Sequence, residues 1–276
     1  SVPAIYAALM PLLTQQPLSE SVRLCISAGE PLSALLAQDW VQQTQRVMVD
    51  GLGSTEALHI FCCSYYYPSG EFTQGQAVAG YQLQLLDDNN FVIHKTGVTG
   101  NLAVRGNSIA SGYWQQPEAS SKTFVQDLLL TGDQYQLTPA QEFNYIGRKG
   151  DMFKASGLWV SAYEIEVAMR SLDYIADAAL VVYRNTAGEQ TTAAFVCPAT
   201  AALSPADLHQ FERFSQQLGE RLYSDLSALL SRHKLPGAIY LLSEMPRTAT
   251  GKLSKPTLKE LALAKDEAAA KSAYSI

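Results

Sequence analysis

The 276-residue chain contains only four cysteines, at positions 25, 62, 63 and 197, and no two of them form a CxxC pair. Four scattered cysteines in a chain of this length fit neither a zinc site nor a disulfide framework, so a reducing cytoplasm is the default compartment. Long hydrophobic runs are also missing. Stretches such as Ala57–Cys63 fall far short of a bilayer span and no secretory h-region opens the chain, so no membrane partner is expected. Basic charge is not in excess either: 20 Lys and Arg against 26 Asp and Glu give −6, which argues against a dedicated nucleic-acid partner. With 47% hydrophobic and 17% charged residues the balance is globular, which excludes disorder and coiled coil. No internal repeat is visible. The chain opens Ser1-Val2-Pro3 without methionine, so it is expected to be part of something longer.

What is present reads as α/β followed by α+β. Val22–Ser27 and Val47–Val49 are short buried strands, the second ended by Asp50-Gly51, with a helix from a Ser33 cap towards Gln45 between them. From about Gly75 the pattern turns to short strands: Gln82–Leu86 and Phe91–His94 as a hairpin around Asp87–Asn90, then Leu102–Val104, Leu128–Leu130 and Phe143–Ile146. A second lobe begins near Asp151. Ser161 and Glu164 match a capping box ahead of the helical face Ile165, Ala168, Met169 and Leu172. Strands are expected at Ala178–Tyr183, Thr192–Cys197 and Ile239–Leu242. A long helix opens at Ser204-Pro205 and carries Leu208, Phe211, Leu218, Leu222, Leu226 and Leu229. The Ala- and Lys-rich end has Glu267 and Lys271 as an i,i+4 pair, a helical spacer or a fraying end.

Four loops could carry chemistry. In Asp50-Gly51-Leu52-Gly53-Ser54-Thr55-Glu56 the glycines allow close backbone approach, the Thr hydroxyl can reach a phosphate and Glu can hold Mg²⁺. In Thr131-Gly132-Asp133 a carboxylate could accept two ribose hydroxyls. Gly147-Arg148-Lys149-Gly150-Asp151 sets charges between glycines, and Pro246–Lys252 presents a lysine on a loop. Taken singly these also read as a Gly-rich turn, a plain turn, a solvated linker and an exposed surface loop.

In their order and spacing the four resemble the ANL superfamily of adenylate-forming ligases, over about Ser1 to Leu261. Asp50–Glu56 followed by Ala57-Leu58-His59-Ile60-Phe61 is most similar to benzoate-CoA and other aryl-acid ligases. Ser27–Glu30, Ser111–Trp114, Lys154–Ser161 and Thr248–Lys252 agree. The resemblance implies a remnant of the large N-terminal domain, sheet end and distorted β-barrel, followed by the small mobile α+β C-terminal domain. The expected divisions are 1–74 (end of an α/β sheet), 75–147 (barrel-like), 148–150 (hinge, at Gly150), 151–262 (α+β lid) and 263–276 (tail or linker). It also implies ATP, Mg²⁺ and a thiol of coenzyme A or of carrier-protein phosphopantetheine, acting on a small carboxylic acid. Ala28, Gly29 and Glu30 would lie along the adenine or its phosphates, Asp50 would reach the adenine amine, Gly51, Leu52 and Ile146 would also bind the nucleotide, Thr55 and Glu56 would serve the phosphates and Mg²⁺, and Asp133 and Arg148 would hold the ribose. Gly53, His59 and Ile60 would line the acyl pocket, Gly53 giving a flat ring room. Lys252 would bridge carboxylate and α-phosphate, and Lys154, Ser156, Gly157 and Trp159 would line the thiol's approach.

A histidine beside Ile60 and Phe61 also fits a satisfied core histidine, and Cys62-Cys63 reads as small buried hydrophobes. Tyr65–Tyr67 reads as packing. Leu52 stands where many members carry an aromatic, Asn101 where glutamate is usual, Gly150 where Asp or Lys is usual, and Ala162 where proline is common. The family's Ser/Thr/Gly-rich phosphate loop is not in this sequence, so a C-terminal portion is expected, completed by an N-terminal part of the same protein. The alternatives are an adenylation domain that loads a carrier protein, and a non-catalytic half that binds a nucleotide or a partner.

Overall fold

The computed structural model describes residues 1–199, 211–249 and 251–273, with no account of the side chains of 211–215 and 269–273. Ser204, Pro205, Leu208 and Thr250 therefore lie outside the described residues, as do the side chains of Phe211 and Lys271. The chain divides into two compact units, Ser1–Gly150 and Asp151–Ile276.

The first unit opens with helix α1 (Pro3–Leu9), β1 (Leu24–Ala28), α2 (Ala34–Thr44) and β2 (Val47–Gly53). Strands β3 (Ile60–Tyr66) and β4 (Phe72–Ala77) follow, and the four strands form one sheet in the order β1-β2-β3-β4. β1 runs parallel to β2 and the other pairs are antiparallel. Trp40, Val41 and Ala37 of α2 bury against Tyr6, Cys25 and Met48, closing one sheet face. Asp50-Gly51 does not end β2. The strand has partners on both edges, and two ladders of main-chain bonds outweigh the local turn preference of Asp-Gly.

The second sheet, curled into a half-barrel, contains β5 (Tyr81–Leu86), β6 (Thr99–Gly106), β7 (Phe124–Val125) and β8 (Leu128–Leu137), ordered β5-β6-β8-β7, with β9 (Phe143–Arg148) also on β8. Helix α3 (Pro117–Thr123) precedes β7. The expected hairpin is corrected. Phe91–His94 contributes one bridge, Leu86 to Val92, while β5 takes β6 as its partner. The Asp87 carboxylate accepts the Asn89 and Phe91 N–H groups, and this holds the turn without requiring a second strand. Leu85, Leu102, Val104 and Leu129 pack with Phe61, Cys62 and Ala57.

In the second unit, β10 (Met152–Ala155) and β11 (Leu158–Ser161) form a hairpin, followed by α4 (Ala162–Arg170). The Ser161 hydroxyl caps α4 by accepting the Glu164 N–H, but the Glu164 carboxylate pairs with Lys234 instead of completing the box. β12 (Ile175–Arg184), β13 (Gln190–Pro198) and β14 (Ala238–Leu241) make a three-stranded sheet. Alternation along β12 serves two cores. Ala178 and Leu180 meet α4 and α5 (Phe211–Leu229), while Ala179 and Val181 meet α6 (Lys255–Ala273). Helix α6 is continuous across the 262/263 boundary drawn from sequence.

Of the leucines expected on the α5 face, Leu218, Leu222 and Leu226 are buried, whereas Leu229 is 55% exposed because the helix ends there. Leu222→Ala should therefore lower unfolding stability by about 2–5 kcal/mol, and Leu229→Ala by less than about 0.5 kcal/mol. Denaturant midpoints of the two variants at equal m-value test the contrast; equal losses would show that the helix face has been misread.

Candidate active site

The carboxyl ends of β1 and β2 lie side by side, with Ser27 opposite Asp50 and Ala28 opposite Gly51. Ligands in open α/β sheets bind outside such strand ends. Gly29, directly beyond β1, has φ +95°, the left-handed region that favours glycine. The sheet thus brings Ala28, Gly29 and Glu30 beside Asp50, Gly51 and Leu52, residues 20 or more positions apart in sequence.

At Gly53 the ladder to β3 shifts register, and a Cβ there would lie 2.5 Å from the His59 carbonyl oxygen. Close backbone approach therefore demands glycine at this point. A Cβ at Gly51 would meet Ile60 at 2.6 Å, so that glycine lets the isoleucine lie across the strand. Between the two segments Leu58 holds φ 71° and ψ −36°, a costly backbone for a leucine, and both it and His59 are exposed. His59 is therefore not the enclosed core histidine that its apolar neighbours allow.

Thr55–Ala57 forms a single 3₁₀ turn, begun by the Ser54 hydroxyl, which accepts the Ala57 N–H. The half-barrel sheet fixes it in place. The Ala110 N–H donates to the Glu56 carbonyl at 2.7 Å, and the Ser108 and Tyr81 hydroxyls donate to the Ala57 carbonyl at 2.8 and 3.0 Å. Tyr113 donates to Glu56 Oε1 at 2.6 Å and Thr55 to Oε2 at 3.3 Å. The Tyr113 hydrogen bond, with smaller ones behind it, holds the Glu56 carboxyl below its ordinary pKa. An ionised lone carboxylate is the donor set Mg²⁺ uses when substrate phosphates complete its shell. Among the described residues no three His, Cys, Asp or Glu side chains converge as a metal cage. Tyr113, Tyr81 and Ser108 are positioning groups that sequence reasoning missed, because each acts more than 20 positions from its partner.

Thr131-Gly132-Asp133 lies within β8 rather than at a turn. It forms an irregularity against β6 in which Gly132 takes φ +78° and the Thr131 hydroxyl bridges the Leu102 carbonyl and the Asp133 N–H. Asp133 is buried, directly opposite the exposed Arg148, whose Nε donates to its carboxylate at 3.1 Å. Ile146 is half-buried two residues before Arg148. Tyr135 is buried, and desolvation raises its pKa well above the ordinary value. Cys62 and Cys63 are buried free thiols, Cys62 pushed up to about 12 chiefly by desolvation, so neither is a nucleophile.

In the second unit, Ser156 and Gly157 make the two-residue turn of the β10–β11 hairpin, with φ 51° and 81°. An added side chain on Gly157 meets open space. Lys154 lies over the Trp159 ring, and both are exposed. Gly150, at the boundary of the units, also has open space around it. Lys252 is exposed on its loop, its N–H held by the Thr248 hydroxyl and its carbonyl by the Thr248 N–H.

Asp50 differs from Asp133 in meeting no cation among the described residues, and burial raises its pKa to about 7. A folded-state value above the unfolded one stabilises fully below about pH 4, and that contribution is lost as pH rises through about 7. Between pH 5 and 8, wild type should lose about 2 kcal/mol relative to Asp50→Asn. Denaturant unfolding at both pH values measures this; parallel pH profiles would exclude a desolvated carboxyl.

Residues 1–114 match the family model described as AMP-binding enzyme. The chain is 34% identical to the 4-hydroxybenzoate–CoA/benzoate–CoA ligase of Rhodopseudomonas palustris, over 97% of this chain and 48% of the relative. It is 33% identical to the benzoate–CoA ligase of Thauera aromatica, over 94% of this chain and 47% of the relative. Among solved structures, the anthranilate CoA ligase AuaEII in complex with anthranoyl-AMP superimposes with a TM-score of 0.78 at 30% identity, over 96% of this chain and 49% of that one. The chain thus spans about half the length of the curated relatives it matches. Shared sequence across nearly all of its residues, the matching fold and the order of its loops agree: this chain belongs to the ANL superfamily of adenylate-forming enzymes.

Proposed function

We propose that the enzyme containing this chain activates a small aromatic carboxylic acid with Mg·ATP and passes the acyl group to the thiol of coenzyme A. The carrying observation is the grouping of Ala28–Glu30, Asp50–Gly53 and the braced Thr55–Glu56 turn at adjacent strand ends, with the Asp133–Arg148 pair in the same unit. Likeness to ligases named for benzoate, and to a structure holding anthranoyl-AMP, supports an aryl acid.

In the first step a carboxylate oxygen bonds to the α-phosphorus and the bond from that phosphorus to pyrophosphate breaks. In the second, sulfur bonds to the acyl carbon, AMP leaves through its phosphate oxygen and the thiol gives up its proton. Asp50 accepts from the adenine amine, with Gly51, Leu52 and Ile146 beside the base. Asp133 and Arg148 hold the ribose hydroxyls. Thr55 donates to phosphate oxygens, and Glu56 supplies the carboxylate for Mg²⁺, whose charge offsets that of the phosphates. Gly53, His59 and Ile60 border the ring. Lys252 neutralises charge that grows between carboxylate and α-phosphate. Lys154, Ser156, Gly157 and Trp159 take the thiol, and Gly150 serves as the hinge for alternation between the two steps.

Acid-dependent pyrophosphate exchange by the full-length enzyme should be fastest with benzoate-sized planar acids, because a pocket for one ring has no channel for a chain. A preference for octanoate or longer acids would overturn the aryl reading. Lys252→Ala should cut adenylate formation by roughly a hundredfold or more, with a far smaller effect on thioester formation from preformed acyl-adenylate. Gly157→Leu should do the reverse. Equal damage to both steps by Lys252→Ala would argue against its assigned role.

A further inference from the structure

The loop that carries Lys252 is fastened on both sides of the lysine. Five residues before it, Arg247 Nη1 donates to the Gly251 carbonyl at 3.0 Å, and this carbonyl belongs to the peptide joining Gly251 to Lys252. The same guanidinium donates through Nη2 to Asp177 Oδ2 at 3.1 Å. Asp177 is anchored in β12, where its other oxygen accepts the Ala178 N–H at 2.9 Å and lies 3.5 Å from Arg170 Nε. Arg170 in turn reaches Glu166, which is buried and accepts the Leu180 N–H at 2.9 Å. Three residues after Lys252, the Lys255 ammonium lies 3.3 Å from Glu166 and 2.7 Å from Asp151.

Arg247, Lys252 and Lys255 crowd three cations into nine residues. The two outer ones are neutralised by acids of β12, α4 and the start of the unit. Among the described residues no acid pairs with Lys252. The acids hold the flanks and leave the central ammonium for a ligand. An arginine suits this position because its planar fork meets a carbonyl and a carboxylate together, of which a single ammonium reproduces only part.

We propose that Arg247, braced by Asp177, is a positioning residue for Lys252: it fixes the peptide plane preceding the lysine and so sets the efficiency of the step that uses it. This rests on the role given to Lys252 under Proposed function. A positioning residue acts only through Lys252, so loss of Arg247 should act on one half-reaction.

The test uses the full-length enzyme, with adenylate formation and thioester formation from preformed acyl-adenylate measured separately, beside thermal unfolding. Arg247→Gln should slow adenylate formation between about tenfold and a hundredfold, the scale of misplacing a reacting group by about 1 Å. The thiol step and the unfolding temperature should move little. Arg247→Lys should recover part of the loss, and Asp177→Asn should show a smaller loss of the same kind. The double variant should be no slower than Arg247→Gln alone, since both changes remove one brace. Equal loss in both steps, additive losses in the double variant, or full adenylating activity of Arg247→Gln would each overturn the inference. If Arg247→Gln does not fold, Arg247→Lys and Asp177→Asn decide by the same criterion. Lys252→Ala in the same assay separates the two levels: unchanged adenylation there overturns the functional reading itself, whereas slow Lys252→Ala beside normal Arg247 variants overturns only the positioning role.

Discussion

The turn proposed to face the ligand must be open to solvent and yet hold its groups still, and three residues of 3₁₀ turn cannot do both alone. Thr55–Ala57 has few main-chain bonds of its own, so its stiffness is imported. The carbonyls of Glu56 and Ala57 accept from Ala110, Ser108 and Tyr81, and the Glu56 carboxylate accepts from Tyr113. Every donor comes from the half-barrel sheet or the segments beside it. The first unit is thus an α/β sheet whose chemical edge is set by a second, antiparallel sheet packed through Phe61, Cys62 and Leu85. Binding sites need such pre-organisation, because order paid for at folding is not charged again when ligand binds.

The same unit treats two enclosed carboxyls, the buried Asp133 and the half-buried Asp50, in opposite ways. Asp133 is deep but faces a guanidinium across the strand pair, which offsets much of its desolvation. Asp50 is half-buried and lies opposite Ser27 and Ser64 in the ladder with no cation among the described residues beside it, so desolvation governs it. A carboxyl near neutrality in pKa is a versatile partner, since it accepts when ionised and can donate when protonated.

In the second unit a three-stranded sheet carries a core on each face, so β12 is buried on both sides and its polar neighbours must find partners at the edges. They do so in alternation, Arg247, Asp177, Arg170, Glu166, Lys255 and Asp151 forming one continuous line of opposite charges. Ion pairs of this kind add little stability singly. Their value here is geometric, because each fixes the side chain that orients the next.

The sequence by itself determined the class of the fold, because periodicity reports which face of an element is buried: Ile165 and Met169, or Leu218, Leu222 and Leu226, follow from spacing alone. It also determined the superfamily and the candidate loops, since Asp50–Glu56, Thr131–Asp133, Gly147–Asp151 and Pro246–Lys252 depend on residue types at short range. Where β2 ends, what pairs with β5, and that Thr131–Asp133 is an irregularity inside a strand were decided by tertiary structure, because ladder partners supply bonds that local preference cannot foresee. Tertiary structure alone also decided that Gly53 answers to the His59 carbonyl, that Tyr113 holds Glu56, and that Arg247 grips the peptide before Lys252. Each of these depends on where the backbone of another segment, or a charge 70 residues away, comes to rest, and no local pattern encodes that position.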